Sequence, residues 1–116
     1  MPPAHIVAIV GRVMLALLFL LAGAAKIAGP KPFLAHMAEF KIPGFLLIPV
    51  IGLELGAGLA LLAGWALPYS AGALAAFCVA TALVFHARLG DRAERTLFVK
   101  DLAIAGGLMA IAATAL

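Results

Sequence analysis

Four long apolar stretches, separated by short polar segments, occupy most of this 116-residue chain. A helix needs about 20 mostly apolar residues to cross the hydrocarbon core of a bilayer. Charged residues make up only 11% of the chain, whereas a soluble domain carries about 25%. We therefore predict an all-α integral membrane protein, folded as an antiparallel bundle of four transmembrane helices. The charged residues flank the apolar stretches, so we expect no nucleic-acid partner.

The apolar stretches also predict where the helices lie. We expect one transmembrane domain over residues 1–116, with spans at about 6–28, 44–64, 69–87 and 96–116. The first stretch has features of a signal peptide, with Arg12 and a cleavage-like Ala22–Ala24, but the apolar run continues beyond them. This continuation favours a transmembrane span.

The segment 29–43 joins the first two spans and contains a possible helix start at Pro32. Phe33, Met37 and Phe40 would fall on one side of such a helix. The pattern fits either a short amphipathic helix at the membrane surface or an irregular loop.

Basic residues indicate the orientation of the chain. Loops one and three, with the adjoining ends of the spans, contain seven of the eight basic residues: Lys26, Lys31, Lys41, Arg88, Arg92, Arg95 and Lys100. Arg12 lies inside the first span. Because basic loops remain in the cytoplasm, we expect loops one and three there and both termini outside.

Glu54 is the one charged residue between Gly44 and Trp65, near the middle of the second span. An ionised carboxylate at this depth needs a partner, a cavity or a proton. At about 100° per residue, the ionisable residue of each span shares a helix face with small residues, which permit close packing. The pattern predicts that these faces point into the bundle: Arg12 and Lys26 with Gly23, Glu54 with Gly58, His86 with Ala82, and Asp101 with Ala105.

Arg12 and Glu54 are candidates for a polar pocket within the bundle. A bidentate contact with Arg12 would make the buried carboxylate tolerable. The pair fits either a structural ion pair or a pocket that binds a ligand headgroup or passes a proton.

Lys26, His86 and Asp101 lie within about two turns of the cytoplasmic boundary, by helix rise. Lys26 fits either an amine that reaches the headgroups or a ligand donor. His86 and Asp101 fit either a satisfied hydrogen bond or a protonatable pair facing a quinone-like carbonyl.

The sequence predicts no metal site and no cofactor with clear ligands. His5 and His86 would lie at opposite faces of the membrane, and His36 lies in a loop, so a haem with two of these ligands is disfavoured. A di-iron centre needs several carboxylates at one depth, and only Glu54 is central. The single cysteine, Cys78, excludes an internal disulfide and fits a small core residue.

Glycines suggest how the second span packs. Gly58 shares the face of Glu54, whereas Gly52 and Gly56 form a Gly-x-x-x-Gly pair nearly opposite it. That second face fits either contact with a neighbouring helix or pairing with a second copy of the chain.

These features together resemble the DoxX family of small four-helix bacterial membrane proteins. The resemblance covers essentially the whole chain. It rests on Phe19, Phe85–His86 and the stretches 11–12, 22–26, 42–43, 54–58 and 98–107. The polar positions of the family correspond to Arg12, Lys26, Glu54, His86, Lys100 and Asp101.

The family takes its name from a subunit associated with an archaeal terminal quinol oxidase, and related proteins are linked to membrane redox complexes and thiol stress. The resemblance therefore implies an inner-membrane accessory or quinone-interacting component of a redox complex. Cys78 alone does not support dithiol exchange. The alternatives are a structural or assembly subunit that contacts other membrane proteins or a second copy, and a carrier that uses the Arg12 and Glu54 pocket.

Overall fold

A computed structural model describes residues 2–116. Its helices in this range are α1 (Pro3–Ala28), α2 (Lys31–Glu39), α3 (Leu47–Ala63), α4 (Leu67–Phe85) and α5 (Arg92–Thr114), with a 3₁₀ turn at Gly44–Leu46 before α3. Helices α1, α4 and α5, and α3 together with the 3₁₀ turn (Gly44–Ala63), are long and apolar enough to cross a membrane. The predicted class, an all-α membrane protein, is therefore confirmed.

The helix ends follow from local sequence chemistry. Prolines occupy the first turns of α1 and α2, where a missing N–H leaves no hydrogen bond unmade. Gly64 ends α3 in the left-handed conformation (φ 76°), and the Trp65 N–H bonds back to the Ala60 carbonyl. Asp91 caps α5 by accepting a hydrogen bond from the Ala93 N–H. This cap explains why α5 begins at Arg92, four residues before the predicted start of the span.

The chain divides into two compact units, of which one extends to Ala66 and the other comprises Leu67–Leu116. In the first unit α1 packs against α3. Gly23 lies beside Leu55, whereas Leu20 lies beside Gly58. Residue numbers therefore run in opposite directions along the two helices, which makes the pair antiparallel.

Helix α2 confirms that the segment between the first two spans contains a short amphipathic helix, whereas its location at the membrane surface stays a prediction. Met37 is buried and Phe33 half-buried, while His36 and Glu39 are exposed. Phe40 is half-buried just after the helix, and Lys41 then takes a positive φ of 58°.

In the second unit α4 packs against α5. The buried strip of α4 consists of Ser70, Ala71, Leu74, Ala75, Cys78 and Ala82, and that of α5 contains Ala105 and Leu108. Most of these side chains are small, so the backbones can approach closely. The expectation that both units form one domain stays a prediction.

Large apolar side chains cover much of the outer surface of the helices. Leu17, Leu21 and Leu83, for example, are 47%, 68% and 59% exposed. Such exposure would be unfavourable in water, whereas lipid tails solvate these side chains well. Lipid is therefore the solvent of these helix faces.

Candidate functional site

Glu54 forms an ion pair with Lys26 inside the first unit. The Lys26 Nζ lies 2.7 Å from the Glu54 Oε1, and the carboxylate side chain is only 4% exposed. The antiparallel register of α1 and α3 brings the two together, because Gly23, one turn before Lys26, lies against Leu55 and the Glu54 Cβ. A buried carboxylate paired at this distance has the partner that its depth requires.

Lys26 also contacts the amphipathic helix. Its Nζ lies 5.0 Å from the centre of the Phe33 ring, a distance at which the aromatic face attracts a cation. The amine thus links α1, α2 and α3. Lys26 lies in the last turn of α1, and its charge is directed at Glu54.

Arg12 does not pair with Glu54, so that prediction is wrong. Its guanidinium lies beside Gly64, where a Cβ would come within 3.1 Å of both terminal nitrogens. Gly64 is ten residues after Glu54, which corresponds to about 15 Å along α3. The carbonyl end of a helix carries partial negative charge and favours a cation there. Arg12 and Glu54 therefore do not form a direct ion pair, whereas a ligand pocket that uses both residues stays a prediction.

His86 lies between two carboxylates in the second unit. Its Nδ1 is 2.8 Å from the Glu94 Oε2, and its Nε2 is 3.9 Å from the Asp101 Oδ2. All three side chains are only about one-fifth exposed, at 19%, 25% and 18%. The expected proximity of His86 and Asp101 is thus present, whereas their role stays a prediction.

Glu94 is a member of this cluster that the sequence does not predict, because residue 94 lies between the predicted spans 69–87 and 96–116. The extension of α5 to Arg92 places Glu94 in the first helical turn. Asp101 follows seven residues later, about two turns along, so both carboxylates project from one helix face. That seven-residue spacing is a signal that the sequence contained.

The His86 cluster has the chemistry of a site that donates and accepts protons. In the imidazolium form both ring nitrogens donate hydrogen bonds. Glu94 accepts one of them, whereas 3.9 Å is too long for a hydrogen bond from Nε2 to Asp101. In that form the Nε2–H makes no hydrogen bond to Asp101, whose Oδ2 lies 3.9 Å away.

The family model for DoxX matches residues 7–87 of this chain. The chain belongs to the DoxX family. Arg12, Lys26, Glu54 and His86 lie inside the matched range, whereas Glu94 and Asp101 follow it. The chain is also similar to inner membrane protein YqjF of Escherichia coli strain K12, with 37% identity over 106 residues. The aligned region covers 91% of this chain and 82% of that relative. A search of the solved structures gives no significant match.

Membership of the DoxX family and the four apolar helices found within residues 2–116 support a multi-pass protein of the inner membrane. Its outer helix faces contact lipid. Across the same described residues, no group of three or more His, Cys, Asp and Glu side chains is placed to hold a metal ion.

The glycines of this DoxX protein divide between two faces of α3. A Cβ on Gly58 would come within 3.2 Å of Leu20, so Gly58 serves the packing of α1 against α3. Gly52 and Gly56 are exposed, and a Cβ on either would meet no atom within 4 Å. Gly58 therefore serves helix packing within the first unit, as predicted, whereas Gly52 and Gly56 make no close contact within that unit.

Proposed function

We propose that this DoxX protein is a quinone-interacting accessory component of a membrane redox system, with the His86 cluster as the site for the quinone ring. The observation that carries the proposal is the position of His86 between Glu94 and Asp101. A quinone carbonyl accepts a hydrogen bond. In the imidazolium form, the His86 Nε2–H is a donor that neither carboxylate takes up, because Nδ1 contacts Glu94 and Nε2 lies 3.9 Å from Asp101.

The depth of the cluster suits such a ligand. His86 directly follows the last residue of α4, and Asp101 lies in the third turn of α5. A quinone is an amphiphile whose ring lies near the headgroups and whose tail lies among lipid chains. A donor at the end of a transmembrane helix meets the ring at that level.

The proposed role divides the chemistry between this protein and a partner. Reduction of a quinone to a quinol takes two electrons and two protons. A redox subunit of the membrane system supplies the electrons. His86 transfers one proton to the carbonyl oxygen that it contacts, as that oxygen becomes negatively charged, and Asp101 and Glu94 pass a proton from water back to the imidazole. The redox subunit supplies the second proton, at the other carbonyl, together with the electrons.

The Lys26–Glu54 pair has a different role in this proposal. Its carboxylate is buried and its amine is held by Glu54 and the Phe33 ring. We assign it to holding α1, α2 and α3 in register, and not to ligand chemistry.

The proposal is tested by quinone binding to the purified protein in lipid nanodiscs. His86→Ala removes the donor, and a hydrogen bond from a charged group is worth about 1.5–3 kcal/mol. We therefore expect affinity to fall by about tenfold to a hundredfold. His5→Ala is the matched control, because His5 is an exposed histidine at the start of α1.

Asp101→Asn completes the test by removing one carboxylate while keeping the size of the side chain. Proton delivery should slow, so quinol formation in the complete redox system should fall more than quinone affinity does. If His86→Ala and His5→Ala bind quinone as well as the unaltered protein, the proposal fails.

A second candidate function is assembly with another membrane protein. The exposed Gly52 and Gly56 face of α3 favours it, because small residues allow a second helix to approach closely. In this proposal the partner is a second copy of the chain. Gly52→Leu should then convert dimers to monomers in mild detergent, while Gly11→Leu on α1 should not; equal dimer fractions in the two variants would exclude it.

A further inference from the structure

The guanidinium of Arg12 lies flat against Gly64 at the end of α3. A Cβ at Gly64 would be 3.1 Å from Nη1, 3.1 Å from Nη2 and 3.2 Å from Cζ. Such nearly equal distances place that Cβ above the plane of the guanidinium rather than at its edge. The N–H bonds of a guanidinium lie in its plane. They are therefore not directed at the Gly64 backbone beneath them.

The donors of Arg12 have no acceptor in the first unit, as far as residues 2–66 describe it. Its Nε is enclosed by protein and has no hydrogen-bond partner. The two Nη groups are not enclosed in this way, and the side chain as a whole is half-buried, so its Nη end is accessible. An arginine stays charged in a protein. A charged side chain within a membrane span needs a counter-charge.

Every side-chain carboxylate of the chain already has another partner among the described residues. The chain contains five Asp and Glu residues. Glu54 pairs with Lys26, and it lies about 15 Å along α3 from Gly64. The other four are Glu39, which contacts His36, Asp91, which caps α5, and Glu94 and Asp101, which face His86. The counter-charge of Arg12 must therefore come from another molecule.

The level of Arg12 in the membrane indicates the class of that molecule. Trp65 directly follows Gly64 and is 72% exposed, and tryptophans of membrane proteins are enriched at the level of the headgroups. Lys26, in the last turn of α1, is about 21 Å from Arg12 by helix rise. The guanidinium beside Gly64 thus lies near one surface of the bilayer, where lipid phosphates are found.

We propose that Arg12 binds the phosphodiester of a membrane phospholipid at this end of the first unit. The two Nη groups of a guanidinium match two oxygens of a phosphate in parallel hydrogen bonds. The flat contact with Gly64 fixes the plane of the group. One guanidinium also balances the single negative charge of a phosphodiester. The site contains no residue of the His86 cluster, so it does not depend on the proposed function.

Lipid binding to the delipidated protein in mild detergent, measured by native mass spectrometry, tests this site. The probes are phosphatidylglycerol, whose headgroup carries no cation, and a diacylglycerol with the same acyl chains and no phosphate. Arg12→Gln removes the charge, and Lys31→Gln is the matched control at an exposed cation of α2. We expect Arg12→Gln to weaken binding of phosphatidylglycerol by about tenfold and to leave diacylglycerol binding unchanged. Lys31→Gln should change neither affinity.

Arg12→Lys keeps the proposal testable if Arg12→Gln does not fold. It retains the charge but loses the planar fork, so phosphatidylglycerol should bind it more weakly than it binds the unaltered protein. Thermal unfolding supplies a second readout. Phosphatidylglycerol should raise the Tm of the unaltered protein and of Lys31→Gln by more than it raises the Tm of either Arg12 variant. A purely structural contact of Arg12 with α3 would not produce this difference.

Equal affinities of the unaltered protein for the two lipids would overturn the proposal, and so would equal losses in Arg12→Gln and Lys31→Gln. Inorganic phosphate is the third probe. If it displaces phosphatidylglycerol and raises the Tm by as much, the site takes free phosphate and the assignment to a lipid is overturned. Quinone binding should be the same in Arg12→Gln and the unaltered protein, which separates this site from the one at His86.

Discussion

Among the individual side chains, Glu54 is under the strongest physical constraint. Its carboxylate is buried in the middle of an apolar helix, with the Lys26 amine 2.7 Å away. Removal of one partner from a buried pair leaves a charge without compensation, at a cost of about 3–5 kcal/mol. The cost of losing a partner should differ between the two residues. Lys26 lies near a helix end, where its amine can reach polar surroundings, whereas Glu54 lies inside a helix and cannot.

This difference predicts unequal effects of the two substitutions on stability. Lys26→Met leaves Glu54 buried and unpaired, so we expect a loss of about 3–5 kcal/mol in the free energy of unfolding. Glu54→Gln should cost less, because the freed Lys26 amine can extend to the headgroups. Unfolding of the purified protein in mixed micelles with increasing SDS measures both losses.

The double variant Lys26→Met with Glu54→Gln provides the control. Because the two side chains interact, its loss should be clearly smaller than the losses of the two single variants added together. Additive losses, or a larger loss for Glu54→Gln than for Lys26→Met, would contradict the account of the pair.

For single side chains, the sequence predicted which helix faces carry polar residues, but it paired Glu54 with Arg12 instead of Lys26. Helix periodicity places Arg12, Lys26 and Glu54 on inward faces without fixing how far one helix slides along another. The contact of Gly23 with Leu55 sets that register. It brings Lys26 to Glu54 and takes Arg12 to Gly64.

Helices α1 and α3 pair through the close approach that Gly23 permits. A Cβ at this position would lie 2.8 Å from the Leu55 Cγ, and so inside van der Waals contact. The Cγ is a branch point near the backbone of α3, so the helices must separate or Leu55 must change its rotamer. Either response also disturbs Glu54, whose Cβ would be 3.4 Å away.

Gly23→Ala should therefore destabilise the protein by about 1–3 kcal/mol, the usual cost of overpacking. Gly11→Ala is the matched control in the same helix, where a Cβ would meet nothing within 4 Å. That variant should be neutral or stabilising by up to about 1 kcal/mol, from helix propensity. Unfolding in SDS gives both values, and equal stabilities would show that Gly23 does not set the helix approach.

Elements were more predictable from the sequence than the contacts between them. The apolar stretches predicted the four long helices to within about four residues at each end, because the length of an apolar stretch limits the length of the helix. The start of α5 was placed too late, because the charged residues after Asp91 were assigned to a loop. Asp91 caps a helix whose first turn carries charged residues. Because the predicted span began after this turn, Glu94 was not expected to lie beside His86.

For the whole molecule, the distribution of basic residues predicts the orientation in the membrane. We propose that the segments at 29–43 and 88–95 lie in the cytoplasm and both termini outside, because seven of the eight Lys and Arg residues are in or beside these segments. A reporter fused after Leu116 that is active only outside the cytoplasm should be active. Activity of a cytoplasm-specific reporter at the same position would reverse the assignment.

The function proposed for the whole molecule depends on where a quinone ring lies. The most direct measurement is photolabelling of the protein in native-like lipid membranes with a quinone that carries an azide on its ring, followed by peptide mass spectrometry. The account predicts labelling between Leu83 and Asp101 that is abolished in His86→Ala and retained in His5→Ala. Labelling concentrated around Lys26 and Glu54, or labelling near His86 that persists in His86→Ala, would contradict it.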